Sequence, residues 1–200
     1  MTTKTQWLID QAHSEIAFKV RHLMIAHVKG SFKTFDATIS TTDKDFTTAK
    51  IDLWIDVSSI TTGDKKRDEH LLGVDFFDIA NHKQMRFTSS TIKKTGAKEN
   101  YELRGNLYIK GFPQEVLLNV EYGGIAIDPW GNEKAGFTIT GKINKIAWGL
   151  SWNQLLPSGG LMLGEEVAIT CEIELTNTGQ KELTTEQKST SNKKDVLINI

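Results

Sequence analysis

Five histidines and one cysteine are the side chains from which a metal centre or a nucleophile would have to be built. His13, His22, His27, His70 and His82 follow one another at intervals of nine, five, forty-three and twelve residues. A zinc site needs three or four converging ligands with supporting hydrogen bonds, and these intervals match none of the usual spacings. No HExxH helix occurs either. The histidines therefore read first as structural hydrogen-bonding groups, and a metal-dependent enzyme built on His13, His22, His27 or His70 ranks as the weakest alternative. Cys171 lies between Ile169 and Ile173 on the apolar parity of its segment. A thiol so placed is expected to be a buried, inert small hydrophobe. A single cysteine excludes an intramolecular disulfide and any multi-cysteine metal site.

The charged neighbours Arg67-Asp68 and Arg21-His22 could supply bidentate contacts that pin a helix across the end of a fold. Catalysis would need an oriented base beside a nucleophile. The chain has no GxSxG elbow, no framed pair of carboxylates and no glycine-rich phosphate loop. The expectation is no catalytic residue, no metal and no cofactor. Lysine plus arginine number 24 against 25 acidic residues, a net charge of −1. Such a balance predicts no strong electrostatic footprint for nucleic acid or anionic headgroups.

The elements that must position these residues alternate with period 2, so each has one apolar and one wetter face. Ile16, Phe18 and Val20 share one parity; so do Ile51, Leu53, Ile55 and Val57; so do Val116, Leu118, Val120 and Tyr122. The longest such set runs Val167, Ile169, Cys171, Ile173 and Leu175. Weaker alternation covers 85–92, 101–109 and 135–143. Across Val28–Ile39 the phase slips near Lys33-Thr34, which predicts a β-bulge there. About eight strands result, several of them long, each with a single apolar face, and this favours antiparallel pairing. Closure into an up-and-down barrel is favoured over a two-sheet sandwich because long exposed edges invite aggregation.

Thr95-Gly96, Lys110-Gly111-Phe112-Pro113, Tyr122-Gly123-Gly124 and Asp128-Pro129-Trp130-Gly131-Asn132 read as turns between strands. Residues Asp64 to Gly73 predict a short helix, with Asp64 as N-cap and glycine at its end. His22 to His27 predicts a helical turn between the first two strands. Residues 1–176 form the barrel unit, and 177–200 a polar C-terminal tail too poor in apolar residues to offset its ordering entropy. No apolar run approaches the ~20 residues of a membrane span. No export segment follows Met1, so the expectation is a cytoplasmic protein, or a periplasmic one were such a segment to precede it.

The phenylalanines divide the remaining readings. Phe18, Phe32, Phe76, Phe77, Phe87 and Phe137 suit a packed core and a ligand cavity equally well. A small eight-stranded barrel can be filled by its own side chains or can hold one small ligand, and from the residues alone both stay open.

Taken together, several fragments resemble a known family. They are Trp7-Leu-Ile-Asp10 with His13-Ser14 and Val20-Arg21-His22, Gly30-Ser-Phe32, and Ser59-Ile-Thr-Thr-Gly63 with Arg67-Asp68-Glu-His70 and Asp75-Phe76-Phe77-Asp78. Later come Gly105-Asn-Leu107, Lys110-Gly111, Gly136-Phe137 and Trp148-Gly149-Leu150 with Trp152-Asn153. Over about residues 5–176 they are similar to the YceI-like, lipocalin-like family of bacterial polyisoprenoid-binding proteins. The sequence departs from that family at His82-Lys83, where Tyr-Pro is usual, and at Lys145, where arginine is frequent.

The resemblance implies an all-β, extended eight-stranded antiparallel lipocalin-like barrel with a short helix near its mouth. It also implies a non-enzymatic protein with a long apolar pocket for an isoprenoid or fatty-chain lipid, for storage, transport or sequestration, and often a homodimer. The inward positions that such a pocket would use are Phe18, Val20, Phe32, Leu53, Ile55, Phe76, Phe77, Phe87, Leu107, Leu118, Val120, Phe137 and Ile139. Arg67, Asp68 and His70 would shape the mouth. The runner-up reading is a stress-related structural barrel with a filled interior and a protein partner.

Overall fold

Eight antiparallel strand paths close on themselves around an apolar interior in the computed structural model, which describes residues 2–96, 99–157 and 159–179. The strands are β1 (Lys4–Ile9), β2 (Glu15–His22), β3 (Ala26–Phe32), β4 (Phe35–Thr42), β5 (Asp45–Asp56), β6 (Ile60–Thr61), β7 (Gln84–Thr95), β8 (Asn100–Ile109), β9 (Phe112–Ile127), β10 (Glu133–Asn144) and β11 (Leu163–Asn177). The helix α1 spans Lys65–Leu72. Neighbours run β1-β4-β5-β7-β8-β9-β10-β11, and β1 pairs back onto β11 to close the ring. Residues 180–200 of the expected tail lie outside the described residues.

Eleven strands make eight paths because two paths are each broken in the middle and the two-residue β6 only edges β3. β1 and β2 are one path interrupted by a 3-10 turn at Gln11–His13, with the Asp10 side chain accepting from the Ala12 N–H at 3.0 Å. β3 and β4 are the second. The phase slip expected as a bulge at Lys33-Thr34 is a full break, after which β4 pairs with β1 while β3 stays on β2. Ser59 braces that break, its hydroxyl accepting from the Lys33 and Thr34 N–H groups at 3.1 and 3.0 Å. The two segments can then lean apart.

Two other expectations are corrected. Residues 22–27 form a β-hairpin tip, not a helical turn: His22 pairs with Ala26, and Leu23 and Met24 turn the chain with φ of 51° and 62°. Tyr122-Gly123-Gly124 is not a corner but a bulge inside the 16-residue β9, where Gly136 opposes Gly124 and Phe137 opposes Tyr122. Gly123 is the extra residue, and a bulge bends a long strand without ending it. The other three glycine corners do separate strands.

Helix α1 starts and stops as its sequence predicts. The Asp64 carboxylate accepts from the Arg67 N–H at 3.1 Å, and the Gly73 N–H donates to the His70 carbonyl at 3.0 Å. β5 and β7 stop at Asp56 and Gln84, whereas β3 continues past them to Ala26. α1 and residues 73–83 occupy the resulting gap at that end.

Candidate functional site

The inward faces enclose a cavity of about 610 Å³. Ligand pockets commonly hold roughly 300–1,000 Å³. Its lining runs from Ile9, Phe46 and Leu175 at one end to Asp64, Lys66 and His70 at the other. The cavity thus extends along the barrel axis, and the exposed helix residues mark its mouth.

Glycines make room for the walls at two places. Phe18 faces Gly30 across the β2–β3 pair, and a Cβ at Gly30 would lie 2.5 Å from the Phe18 ring. A Cβ at Gly105 would lie 2.4 Å from both the Phe87 ring and the Thr88 carbonyl oxygen. In each case the bare backbone lets an aromatic ring lie flat against the wall.

The end away from the helix is plugged. Trp7, 1% exposed, packs on Phe46 with ring centroids 5.1 Å apart, and Phe46 packs on Phe137 at 4.8 Å and on Tyr122 at 5.4 Å. The Trp7 indole N–H donates to the Thr41 hydroxyl at 3.1 Å. Around this plug, the buried Glu133 carboxylate accepts from Lys44 Nζ at 2.5 Å and Asn177 Nδ2 at 2.8 Å. Burial raises the Glu133 carboxyl, but these two donors outweigh it and hold it below its ordinary value. The Asp10 carboxyl is lowered to about 2, chiefly by its hydrogen bond from Lys134 against a smaller opposing effect of burial.

The mouth is built differently. His70, Phe76 and Trp152 form a ring cluster, with His70 edge-on to Phe76 at 5.1 Å and to Trp152 at 4.7 Å. Lys66, Arg67 and Lys145 line this end beside two histidines, His22 and His70, and among the described residues Asp64 is the one acid in the lining. Asp64 is engaged as the helix cap. Lys145 is 5% exposed, and its ammonium donates to the Leu150 carbonyl at 2.6 Å and the Trp152 carbonyl at 3.2 Å. Burial lowers its pKa, with the charge of Glu165 opposing.

Of the sixteen positions singled out from sequence, the structure brings fifteen together on the cavity wall: Phe18, Val20, Phe32, Leu53, Ile55, Arg67, His70, Phe76, Phe77, Phe87, Leu107, Leu118, Val120, Phe137 and Ile139. Asp68 is the exception. Its carboxylate turns away to accept from the Thr62 N–H at 2.9 Å and the Thr62 hydroxyl at 2.5 Å. Arg67 and Asp68 do not bridge the barrel as an ion pair. Both grip Thr62, Arg67 through Nε on the hydroxyl at 2.7 Å and Nη2 on the carbonyl at 2.8 Å, and so tie α1 to the chain just after β6. Arg21 donates to the Met24 carbonyl at 3.3 Å, not to a carboxylate.

Sequence reasoning missed Phe46, Lys145, Trp152 and Met85. Phe46 has the opposite parity to Ile51, because the β4–β5 register shifts between Ser40 and Thr42. Lys145 and Trp152 lie outside regular strands, where alternation carries no signal; the Trp148-Gly149-Leu150…Trp152 motif was the available pointer.

The histidines do not converge. His22 and His27 sit on the hairpin tip and His70 on the helix, while His13 lies beside Asp10 at 3.2 Å and Glu174 at 3.7 Å. Asp10, His13 and Glu174 could present three ligands to a metal. Lys134 already bridges both carboxylates, bonding Asp10 and lying 3.1 Å from Glu174, so the cluster carries its own cation. Cys171 lines the cavity, and burial pushes its thiol up to about 12. Burial thus favours the neutral thiol over the nucleophilic thiolate.

Comparison with known proteins agrees with this geometry. The model of the YceI-like domain matches residues 7–175. A UPF0312 protein of Staphylococcus epidermidis is 37% identical over 171 residues, 85% of this chain and 96% of that protein. Among solved structures, Burkholderia cenocepacia BcnA superposes with a TM-score of 0.71 at 23% identity, covering 83% of this chain and 98% of its own. A polyisoprenoid-binding domain from Saccharophagus degradans superposes at 0.60 with 14% identity, over 86% and 98% of the two chains. At these identities the two structures establish a shared barrel fold.

Proposed function

This chain belongs to the YceI-like domain family, and from that premise we propose that it binds one long apolar chain, polyisoprenoid or fatty, inside the barrel without transforming it. The observation that carries this reading is the cavity of about 610 Å³ with its almost wholly apolar wall. Each methylene moved from water to such a wall contributes about 0.8 kcal/mol, so affinity grows with the length that fits and needs few directional contacts. The Saccharophagus degradans domain, described as polyisoprenoid-binding, supports the guest class by analogy of fold.

The polarity of the site gives the guest a direction. Its tail meets the Phe46–Phe137 plug, and its head lies at the mouth among Lys66, Arg67 and Lys145. An acidic or strongly polar head suits that end. Storage, transport or sequestration all follow from such a site, and the last step of each is release at the mouth.

The test is extraction of protein purified from its native host, with mass spectrometry of what it carries, followed by titration of the delipidated protein with a fluorescent fatty acid. A stoichiometric chain-like molecule and saturable probe uptake are expected. Absence of both would overturn the proposal.

A further inference from the structure

We infer that the hairpin formed by β2 and β3 docks the barrel mouth onto an anionic lipid bilayer. This goes beyond a guest in the cavity and stands without it.

The tip of the hairpin is apolar and faces water: Ile25 is 86% exposed and Met24 53%. Tight hairpin turns that need positive φ are normally made by Asn, Asp or Gly. Here the two left-handed positions are Leu23 and Met24. A large side chain in that region carries a steric cost that a glycine would avoid. The tip thus bears both a conformational and a hydration penalty, and an outlier of this kind points to a function.

The flanks of the hairpin carry a second, independent cost. Lys19 opposes Lys29 across the β2–β3 pair and Arg21 lies two residues along β2, all three exposed. Like charges directly opposite on a sheet destabilise it. Residues 19–29 contain no carboxylate. Of the acids of the adjoining β11, the two beside the tip are engaged elsewhere: Glu166 pairs with Lys142 at 2.8 Å, and Glu165 accepts from Asn144 at 3.5 Å. Apolar residues that enter the acyl boundary, set among cations that meet anionic headgroups, are the pattern of an interfacial anchor. The net charge of −1 hides this because it averages over the whole surface.

Position and contrast favour the same reading. The Leu23 N–H donates to the Met162 carbonyl at 2.7 Å, and both His22 and Met162 line the cavity, so the anchor adjoins its opening. The opposite end also exposes an aromatic, Trp130 at 84%, but Asp128 accepts from the Trp130 N–H itself. A carboxylate at that position repels an anionic surface. Charge therefore selects the hairpin end for the bilayer.

The experiment is flotation of the full chain with phosphatidylcholine vesicles, with and without phosphatidylglycerol. Binding is expected to the mixed vesicles and to fall with added salt. Ile25→Asp should weaken it about tenfold, and Lys19→Gln with Lys29→Gln should abolish the preference for phosphatidylglycerol. None of these residues lines the cavity, so uptake of a fluorescent fatty acid without vesicles should be unchanged in every variant; that readout fails on its own if the cavity reading is wrong. Equal binding to both vesicle types would overturn the inference, as would full binding by Ile25→Asp. A concentration-dependent dimer broken by Ile25→Asp, without vesicle binding, would assign the tip to a second copy instead.

Discussion

The two ends of this barrel are made from the same strands yet solve opposite problems. At the plugged end, Trp7, Phe46, Tyr122 and Phe137 interlock, Trp7 satisfies its indole on Thr41, and Glu133 is held between Lys44 and Asn177. At the mouth, β3 runs beyond β5, a two-turn helix fills the gap, and the ring cluster of His70, Phe76 and Trp152 stays partly open to solvent. The first end is finished by interior packing. The second is finished by polar ties, the grip of Arg67 and Asp68 on Thr62 and of Lys145 on two carbonyls, none of which fills the cavity. Packing is concentrated at the plugged end, and the cavity beside the mouth is left unfilled.

That contrast can be broken by truncation. Trp7→Ala removes a fully enclosed ring and its hydrogen bond, and is expected to cost about 3–5 kcal/mol in urea unfolding. Trp152→Ala, at the half-open mouth, should cost only about 1–2 kcal/mol. Equal losses would mean that the ends are packed alike.

Overfilling sharpens the comparison. Phe137→Trp pushes into Phe46 and Tyr122 and should destabilise by about 1–3 kcal/mol. Leu118→Trp points into open cavity and should change stability by less than about 1 kcal/mol while displacing a fluorescent fatty acid. Unfolding curves and probe titrations on the two variants separate a hollow from a filled interior.

Acid should loosen the plugged end. The Asp10 carboxyl is held at about 2 against an ordinary 3.8, mainly by Lys134. A folded value below the unfolded one means stability that is fully present above about pH 4 and is lost as the pH falls through about 2. Asp10→Asn should therefore cost on the order of 1 kcal/mol near neutrality, and the deficit should vanish toward pH 2. A deficit that persists in acid would assign Asp10 a purely packing role. The smallest effect is expected at Glu69→Gln on α1, whose pairing with Lys65 at 3.9 Å is exposed; unfolding should move by less than about 0.5 kcal/mol.

Much of this molecule was legible in its sequence, for identifiable reasons. Alternation of Val116, Leu118 and Val120, or of Ile51, Leu53 and Ile55, fixes which side chains face inward, because successive residues in a strand point to opposite faces. Fifteen inward or mouth positions were found this way or by resemblance. The helix ends were equally legible, since Asp64 and Gly73 satisfy backbone groups within a few residues of themselves. Failures fell where local pattern is ambiguous. A Gly-Gly pair can be a turn or a bulge, and only the opposing Gly136-Phe137 step decides for the bulge. Asp68 sits among cavity residues along the chain but bonds outward to Thr62.

What the sequence settled by itself was the period of its strands, the caps of its helix and the inward parity of its regular strand residues, because each depends on neighbours a few residues away. What only the tertiary structure decided was whether the wall encloses a space. Strand parity says that Tyr122 and Phe137 face inward; that Phe46 joins them to plug one end, while Phe18 and Phe87 lie flat against Gly30 and Gly105, depends on register across strands far apart in the chain. Volume is a property of the closed ring, and no local pattern encodes it.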